Sequence, residues 1–276
     1  MRIAIIAQEE PVCFGPFLRG IIAARRNEVV LVAIAGIRGA GSHPRTFRQR
    51  LENILIHWLI MEPAGFIRSA AIIAGQRIIR ILGLTGTGLD QRSIEGAARR
   101  HALPVVHIQE INTPEFSEIL KRYAPDLIIN QSERLLKEPL LRSAPLGVVN
   151  RHASLLPHYR GRLASFRGHA AEPPEYGVTI HFVDQGLDSG PIIMQKQLDL
   201  DPRLPYPRVL EILFRESVPL MLEALDALSS PGFVPRPNQH QGTPVWQFPS
   251  LEEARAYRQR LAARRQMKGN AANSDC

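Results

Sequence analysis

The chain has 276 residues, 45% hydrophobic and 22% charged, the proportions of a soluble globular protein with one α/β domain and an appendage or with two small domains. Its formal charge of +8 invites a nucleic-acid reading, but the arginines are spread along the chain, with short clusters at Arg25–Arg26, at Arg99–Arg100 and from Arg255 to Lys268, and neither basic–aromatic interleaving nor a helix-turn-helix pattern accompanies them. Two cysteines, Cys13 and Cys276, exclude a disulfide framework and point to a reducing cytoplasm.

MRIAIIAQ begins a strand at once and leaves no room for a signal-peptide core. FLRGIIAARR reads as a helix and VVLVAIAG as a second strand. From about Thr46 to Leu82 the pattern is helical and strongly apolar, yet Glu62, Arg68, Arg77 and Arg80 interrupt it before a clean run of ~18 residues accumulates. The expectation is one or two amphipathic helices packed on a sheet or on a second subunit, with association to a membrane surface as the alternative. SIEGAARRHAL is a helix closed by the short strand PVVHI. Thr113 is the N-cap of TPEFSEILKRYA, with Glu115 in its first turn. The apolar run DLIIN follows, then LKEPLLRSA and the strand GVVN. Fully apolar strands separated by helices predict an α/β fold with a doubly wound, mostly parallel sheet.

After Asn150 come a loop, a helix near Ser165–Ala171, the strands YGVTIHFVD and PIIMQKQLDL, and the helix YPRVLEILFRESVPLMLEALDAL. Beyond Ser229 lie a proline-rich linker, TPVWQF, a charged helix SLEEARAYRQRLAARRQ and the end NAANSDC, which reads as disordered. The chain divides into a main domain over 1–229, with a helical insertion at about 46–82, and a C-terminal extension over 230–276. Nucleotide-binding signatures are missing. QEEPVCFGP after the first strand holds no G-x-G-x-x-G, the glycines of LGLTGTGLD mark a turn, and there is no P-loop.

In an open parallel sheet, ligands sit beyond the carboxyl ends of the strands. GVVN places Asn150 at such an end, and strand alternation sets His152 on the same side. Leu155, Leu156 and Pro157 anchor the loop that follows. A second stretch, HFVDQGLDSGPII over 181–193, brings Asp184 and Asp188 on a loop between strands, with Gly186 and Gly190 bracketing Asp188. A carboxylate beside an imidazole orients it and raises its pKa, and an Asn amide can donate to a developing oxyanion. Such a set suits addition of a nucleophile to a carbonyl without a covalent enzyme intermediate. His152, His158, His169 and His181 have no metal-ligand spacing, and Ser154 has no G-x-S-x-G elbow, so neither a metal site nor a serine hydrolase is expected.

The joint pattern N-x-H-A-S-L-L-P-x-Y-R-G followed by H-F-V-D-x-G-L-D-S-G-P-I-I closely resembles the formyltransferase family that uses 10-formyltetrahydrofolate, strongly across about 145–200 and more loosely over the rest of the sheet. The resemblance implies a Rossmann-like formyltransferase fold, 10-formyltetrahydrofolate as co-substrate without a metal, and Asn150, His152 and Asp188 as the catalytic trio. In that family an amine attacks the formyl carbonyl, Asn and His stabilise the oxyanion, and Asp assists proton transfer through His or water. It also implies that Gln131, Arg134, Leu135, Leu136, Asp184 and Gly186 contact the cofactor. Members usually carry an apolar, glycine-containing segment where the pterin docks. NQSERLLKEP instead sets Asn130, Gln131 and Glu133 there, and Arg151 stands where an apolar or small residue is usual. The position after Arg160–Gly161, commonly small and proline-containing, reads RLASFRGH.

The ribonucleotide members have a Gly-Ser-rich phosphate loop after the first strand, which QEEPVCFGP lacks. Methionyl-tRNA members carry a C-terminal barrel, for which the residues after Ser229 are too few. The resemblance therefore points to the primary amine of a small molecule, such as a sugar amine, an amino acid derivative or a secondary-metabolite amine. Neither a specific nucleic acid nor a transmembrane segment is expected. The alternatives are a hydrolase that releases formate with the same trio and a non-catalytic binder that kept the fold. The apolar insertion is the candidate interface of a homo-oligomer.

Overall fold

The apolar runs pair into one seven-stranded sheet in the computed structural model, which describes residues 1–36 and 46–272, with side chains to residue 266. In chain order the elements are β1 (Ile3–Gln8), α1 (Phe14–Ala24), β2 (Val29–Ala35), α2 (Phe47–Ile81), α3 (Ile94–Arg100), β3 (Val105–Ile108), α4 (Pro114–Tyr123), β4 (Leu127–Gln131), β5 (Val148–His152), β6 (Arg160–Gly161), α5 (Ala164–Ala170), β7 (Tyr176–Phe182), β8 (Ile192–Leu198), α6 (Tyr206–Ser229), β9 (Val245–Trp246) and α7 (Leu251–Ala272). The sheet order is β3-β2-β1-β4-β5-β7-β8. The first five strands are parallel, and β7 and β8 run antiparallel at one edge. The fold is the doubly wound, mostly parallel sheet that the apolar strands imply.

Alternation along β1 shows why both faces are covered. Ile3, Ile5 and Ala7 join a core with α1, α6 and α7, while Ala4 and Ile6 join a second core with α4 on the other face. Thr113 caps α4 as its sequence requires, accepting from the Phe116 N–H. Ala254, Tyr257 and Leu261 of α7 belong to the first core, so the C-terminal extension packs into the main body. Residues 270–272 of the expected disordered end continue α7; residues 273–276, with Cys276, lie outside the described residues.

Helix α2 departs most from expectation. Thr46 and Gln49 close a reciprocal capping box at its start. At Glu62, with φ 58°, and Pro63 the helix kinks, because proline offers no N–H and crowds the preceding turn. Arg258 and Arg265 of α7 hold the Glu62 carboxylate at that kink. The insertion lies along α6 and α7, and its buried side chains, Ile56 and Ile60, join the first core. Glu62, Arg68, Arg77 and Arg80 interrupt α2 as expected, and by length and composition alone the helix still reaches what crossing a membrane requires, with a window of mean hydropathy 1.2.

Candidate active site

Strand β5 lies between parallel β4 and antiparallel β7, in the middle of the sheet's carboxyl edge. Its alternation sends Asn150 and His152 to one side and Arg151 to the other. The Leu-Leu-Pro turn after it is pinned from β7 and β8. Thr179 Oγ donates to the Ser154 carbonyl and accepts from the Leu156 N–H, and Gln195 donates to the Leu156 carbonyl. Leu156 is buried, whereas Leu155 and Pro157 are half-buried.

His152 Nε2 lies 2.6 Å from the Tyr159 carbonyl. A carbonyl only accepts, so Nε2 carries the proton and Nδ1 is left as the acceptor nitrogen. Nδ1 sits 3.6 Å from Asp188 Oδ2, a gap longer than a hydrogen bond. Asp188 itself adopts φ 50°, the left-handed region that a side chain seldom occupies. The Arg160–Gly161 turn holds it there: Arg160 Nε and Nη2 both donate to the Leu187 carbonyl, and the Gly161 N–H donates to Asp188 Oδ2 at 2.7 Å. Gly161 has φ 101°, and a Cβ there would fall 2.3 Å from the Trp246 carbonyl oxygen, so only glycine brings that N–H to the carboxylate. Asp184 Oδ1 accepts from Gly186 N and Ser189 Oγ and shapes the rest of the loop.

His181 joins the group as well, paired with Asn150 across β5 and β7. Its Nδ1–H donates to the Phe182 carbonyl, and its bare Nε2 lies 3.9 Å from Asp188 Oδ1. Burial, reinforced by nearby His152, pulls its pKa down to about 4, so it stays neutral. The sequence marks it only as the first residue of H-F-V-D; that it faces Asn150 is set by the β5–β7 pairing.

The polar letters of NQSERLL fold inward. Asn130 Oδ1 accepts from Ser132 N and Oγ. Gln131 Nε2 donates to Asn150 Oδ1 at 2.9 Å, and Gln131 Oε1 accepts from Arg151 Nη2 at 3.1 Å. The Asn150 carbonyl oxygen is thereby occupied, and its NH2 group has no internal acceptor among the described residues. Arg151 is buried in an aromatic cage, its guanidinium carbon 3.9 Å from the Phe214 ring centre and 5.4 Å from that of Phe17. Among the described residues its Nε and Nη1 have no hydrogen-bond partner, and desolvation pulls its pKa down to about 10. The Arg134 guanidinium bonds Glu110 and the carbonyls of Gly36 and Gln109. Leu136 is buried and Leu135 exposed.

All nine sequence-derived site residues line one cavity of about 940 Å³, roofed by the inner face of α2 and walled by α6. Glu10 lines it too, and its carboxylate accepts from the N–H groups of Val12, Cys13 and Phe14 at 2.7–2.9 Å, filling the N-terminus of α1. Among the described residues no group of three or more His, Cys, Asp or Glu side chains is placed to hold a metal.

A family described as Formyl transferase matches residues 91–212. The methionyl-tRNA formyltransferase of Chloroflexus aggregans is 32% identical over 193 residues, covering 67% of this chain and 62% of that protein. Its counterpart in Kosmotoga olearia is 33% identical over 156 residues, covering 56% and 50%. The chain thus spans one half to three fifths of the length of these curated relatives. Among solved structures, phosphoribosylglycinamide formyltransferase from Bacillus halodurans superposes with a TM-score of 0.57 at 21% identity, covering 84% of this chain and 96% of that one. A sugar N-formyltransferase from Shewanella sp. FDAARGOS_354 gives 0.54 at 14% identity, covering 95% and 88%. These two likenesses are of fold.

Proposed function

The chain belongs to the formyltransferase family, and from that premise we propose that it transfers a formyl group from 10-formyltetrahydrofolate to the primary amine of a small-molecule acceptor. The observation that carries this reading is the convergence of Asn150, His152 and Asp188 on one cavity, with the Asn150 NH2 left free by Gln131. The amine lone pair attacks the formyl carbon and the carbonyl electron pair moves onto oxygen. Asn150 Nδ2–H donates to that oxyanion, and His152 Nδ1, when protonated, adds positive charge beside it. Asp188 takes the proton that the amine sheds, directly or through water, and it returns to N10 as the carbon–N10 bond breaks. The products are a formamide and tetrahydrofolate.

Gln131 has no side-chain donor left for the cofactor, and Arg134 is engaged by Glu110 and two carbonyls. We therefore assign the donor's contacts at Gln131, Arg134, Leu135 and Leu136 chiefly to backbone, and those at Asp184 and Gly186 to the facing loop. For the acceptor, the self-capped N-terminus of α1 supports an amine without a phosphate at that position, because the Glu10 carboxylate already holds the three N–H groups.

The test incubates the protein with 10-formyltetrahydrofolate and fractionated primary amines, following tetrahydrofolate release optically and formylated product by mass spectrometry. Product lost in both His152→Ala and Asp188→Ala supports the reading. Formate released at the same rate without amine overturns transfer in favour of hydrolysis, and absence of folate binding overturns both.

A further inference from the structure

Helix α2 carries an apolar surface that nothing in the described chain covers. In its second half Ile67, Ala71, Ala74, Ile78 and Ile81 follow one another at spacings of four, three, four and three residues, which sets them on one helical face. All five are exposed, Ile67 at 61% and Ile81 at 72%. The opposite face is fixed to the body, with Gly65 against Pro207 and Arg68 paired with Glu211 of α6. Arg77 and Arg80 stand along one margin of the apolar face. No Asp or Glu occurs between Pro63 and Leu89, and Arg77 and Arg80 have no carboxylate partner among the described residues. The first half repeats the arrangement: Phe47, Leu51, Ile54 and Trp58 form an exposed row with Arg48 and Arg50 on either side.

An apolar centre flanked by guanidinium groups is the pattern of a helix lying in a lipid interface, its aliphatic side chains among the acyl chains and its cations on the phosphates. We propose that the outer face of α2 rests on an anionic lipid surface. A second copy of the chain fits less well. A twofold pairing of this face would set Arg77 and Arg80 against their own kind, with no acid in the stretch to meet them. Spanning the bilayer is excluded by the kink at Glu62–Pro63 and by the ties of Glu62 and Arg68 to α7 and α6, which keep one side of the helix against protein.

The experiment floats the full chain with vesicles of phosphatidylcholine alone and of phosphatidylcholine mixed with phosphatidylglycerol. Binding is expected on the anionic vesicles, weakening as salt is raised. Arg77→Glu with Arg80→Glu, and separately Ile78→Asp with Ile81→Asp, should each lower it about tenfold or more. These positions are exposed, so thermal unfolding should stay unchanged, and a lipid-borne quencher should reach Trp58. No flotation overturns the proposal, as does flotation indifferent to both double variants. So does a dimer in ultracentrifugation that the isoleucine variant dissociates while vesicles remain unbound, which would assign the face to a second copy.

Discussion

Between Asn150 and Gly161, Asn150 Oδ1, His152 Nε2 and the Gly161 N–H meet their partners at 2.9, 2.6 and 2.7 Å. Along α2, Phe47, Ile67 and Ile81 stand 76%, 61% and 72% exposed. The first region spends its polar atoms on fixing one geometry, with the middle of a sheet and the neighbouring loops as walls. The second leaves its apolar atoms unspent, on a kinked arm tied down by ion pairs and its inner face. The contrast is between polar groups whose partners fix one geometry and an apolar face left to water.

The sharpest way to break the comparison is at the site. Asp188→Asn keeps an acceptor for the Gly161 N–H but cannot take a proton, so formyl transfer should fall about a thousandfold while the thermal midpoint barely moves. Steady-state kinetics beside a melting curve checks both. Within α2 the comparison can be turned on itself. Ile60 is 3% exposed, and Ile60→Ala should cost about 2–5 kcal/mol in a denaturant titration. Gln131→Leu removes the donor that orients Asn150 and should lower kcat about tenfold with KM little changed, less than losing an oxyanion donor outright. Arg151→Met tests the other end of that relay. A buried cation with two unpartnered nitrogens is costly, so the melting temperature should hold or rise while kcat falls.

The next effect is a matter of pH. Burial holds His169 and His181 at pKa values of about 4, below the ordinary 6.5. Below pH 6.5 the unfolded chain takes up protons that the folded chain refuses, so stability should decline as pH falls towards 4 and stop declining from this cause once the folded histidines protonate. Melting temperatures across that range, with His169→Gln showing a shallower fall, would check it. The smallest effect is expected at Ile81→Ser, within about 0.5 kcal/mol of the parent, because that side chain already stands in water.

The strands were legible because a buried parallel sheet demands uniform apolar runs, and DLIIN or VVLVAIA leave little else to choose. Thr113 announced its helix through cap chemistry, which is local. Alternation set Asn150 and His152 on one side of their strand, whereas choosing Asp188 as their partner rested on the resemblance to the formyltransferase family. The roles of Gln131, His181 and Arg160 were hidden. Each acts through a partner about twenty or more residues away or across a strand pair, and sequence spacing carries no register between strands joined by long loops.

What the chain's letters determined alone were the elements, the parallel character of the sheet and the residues with chemistry to offer, since periodicity, capping and turn glycine act within a few residues. What only the tertiary structure decided was where those residues meet and what stays uncovered. Whether Asn130 and Gln131 would spoil the cavity depended on their side chains finding Ser132, Asn150 and Arg151 inside the fold. Whether an apolar helix would lie in the core or stand outside depended on how much sheet surface α1, α3 and α6 had already taken. Burial is a competition for a finite face, and no single stretch of sequence records its outcome.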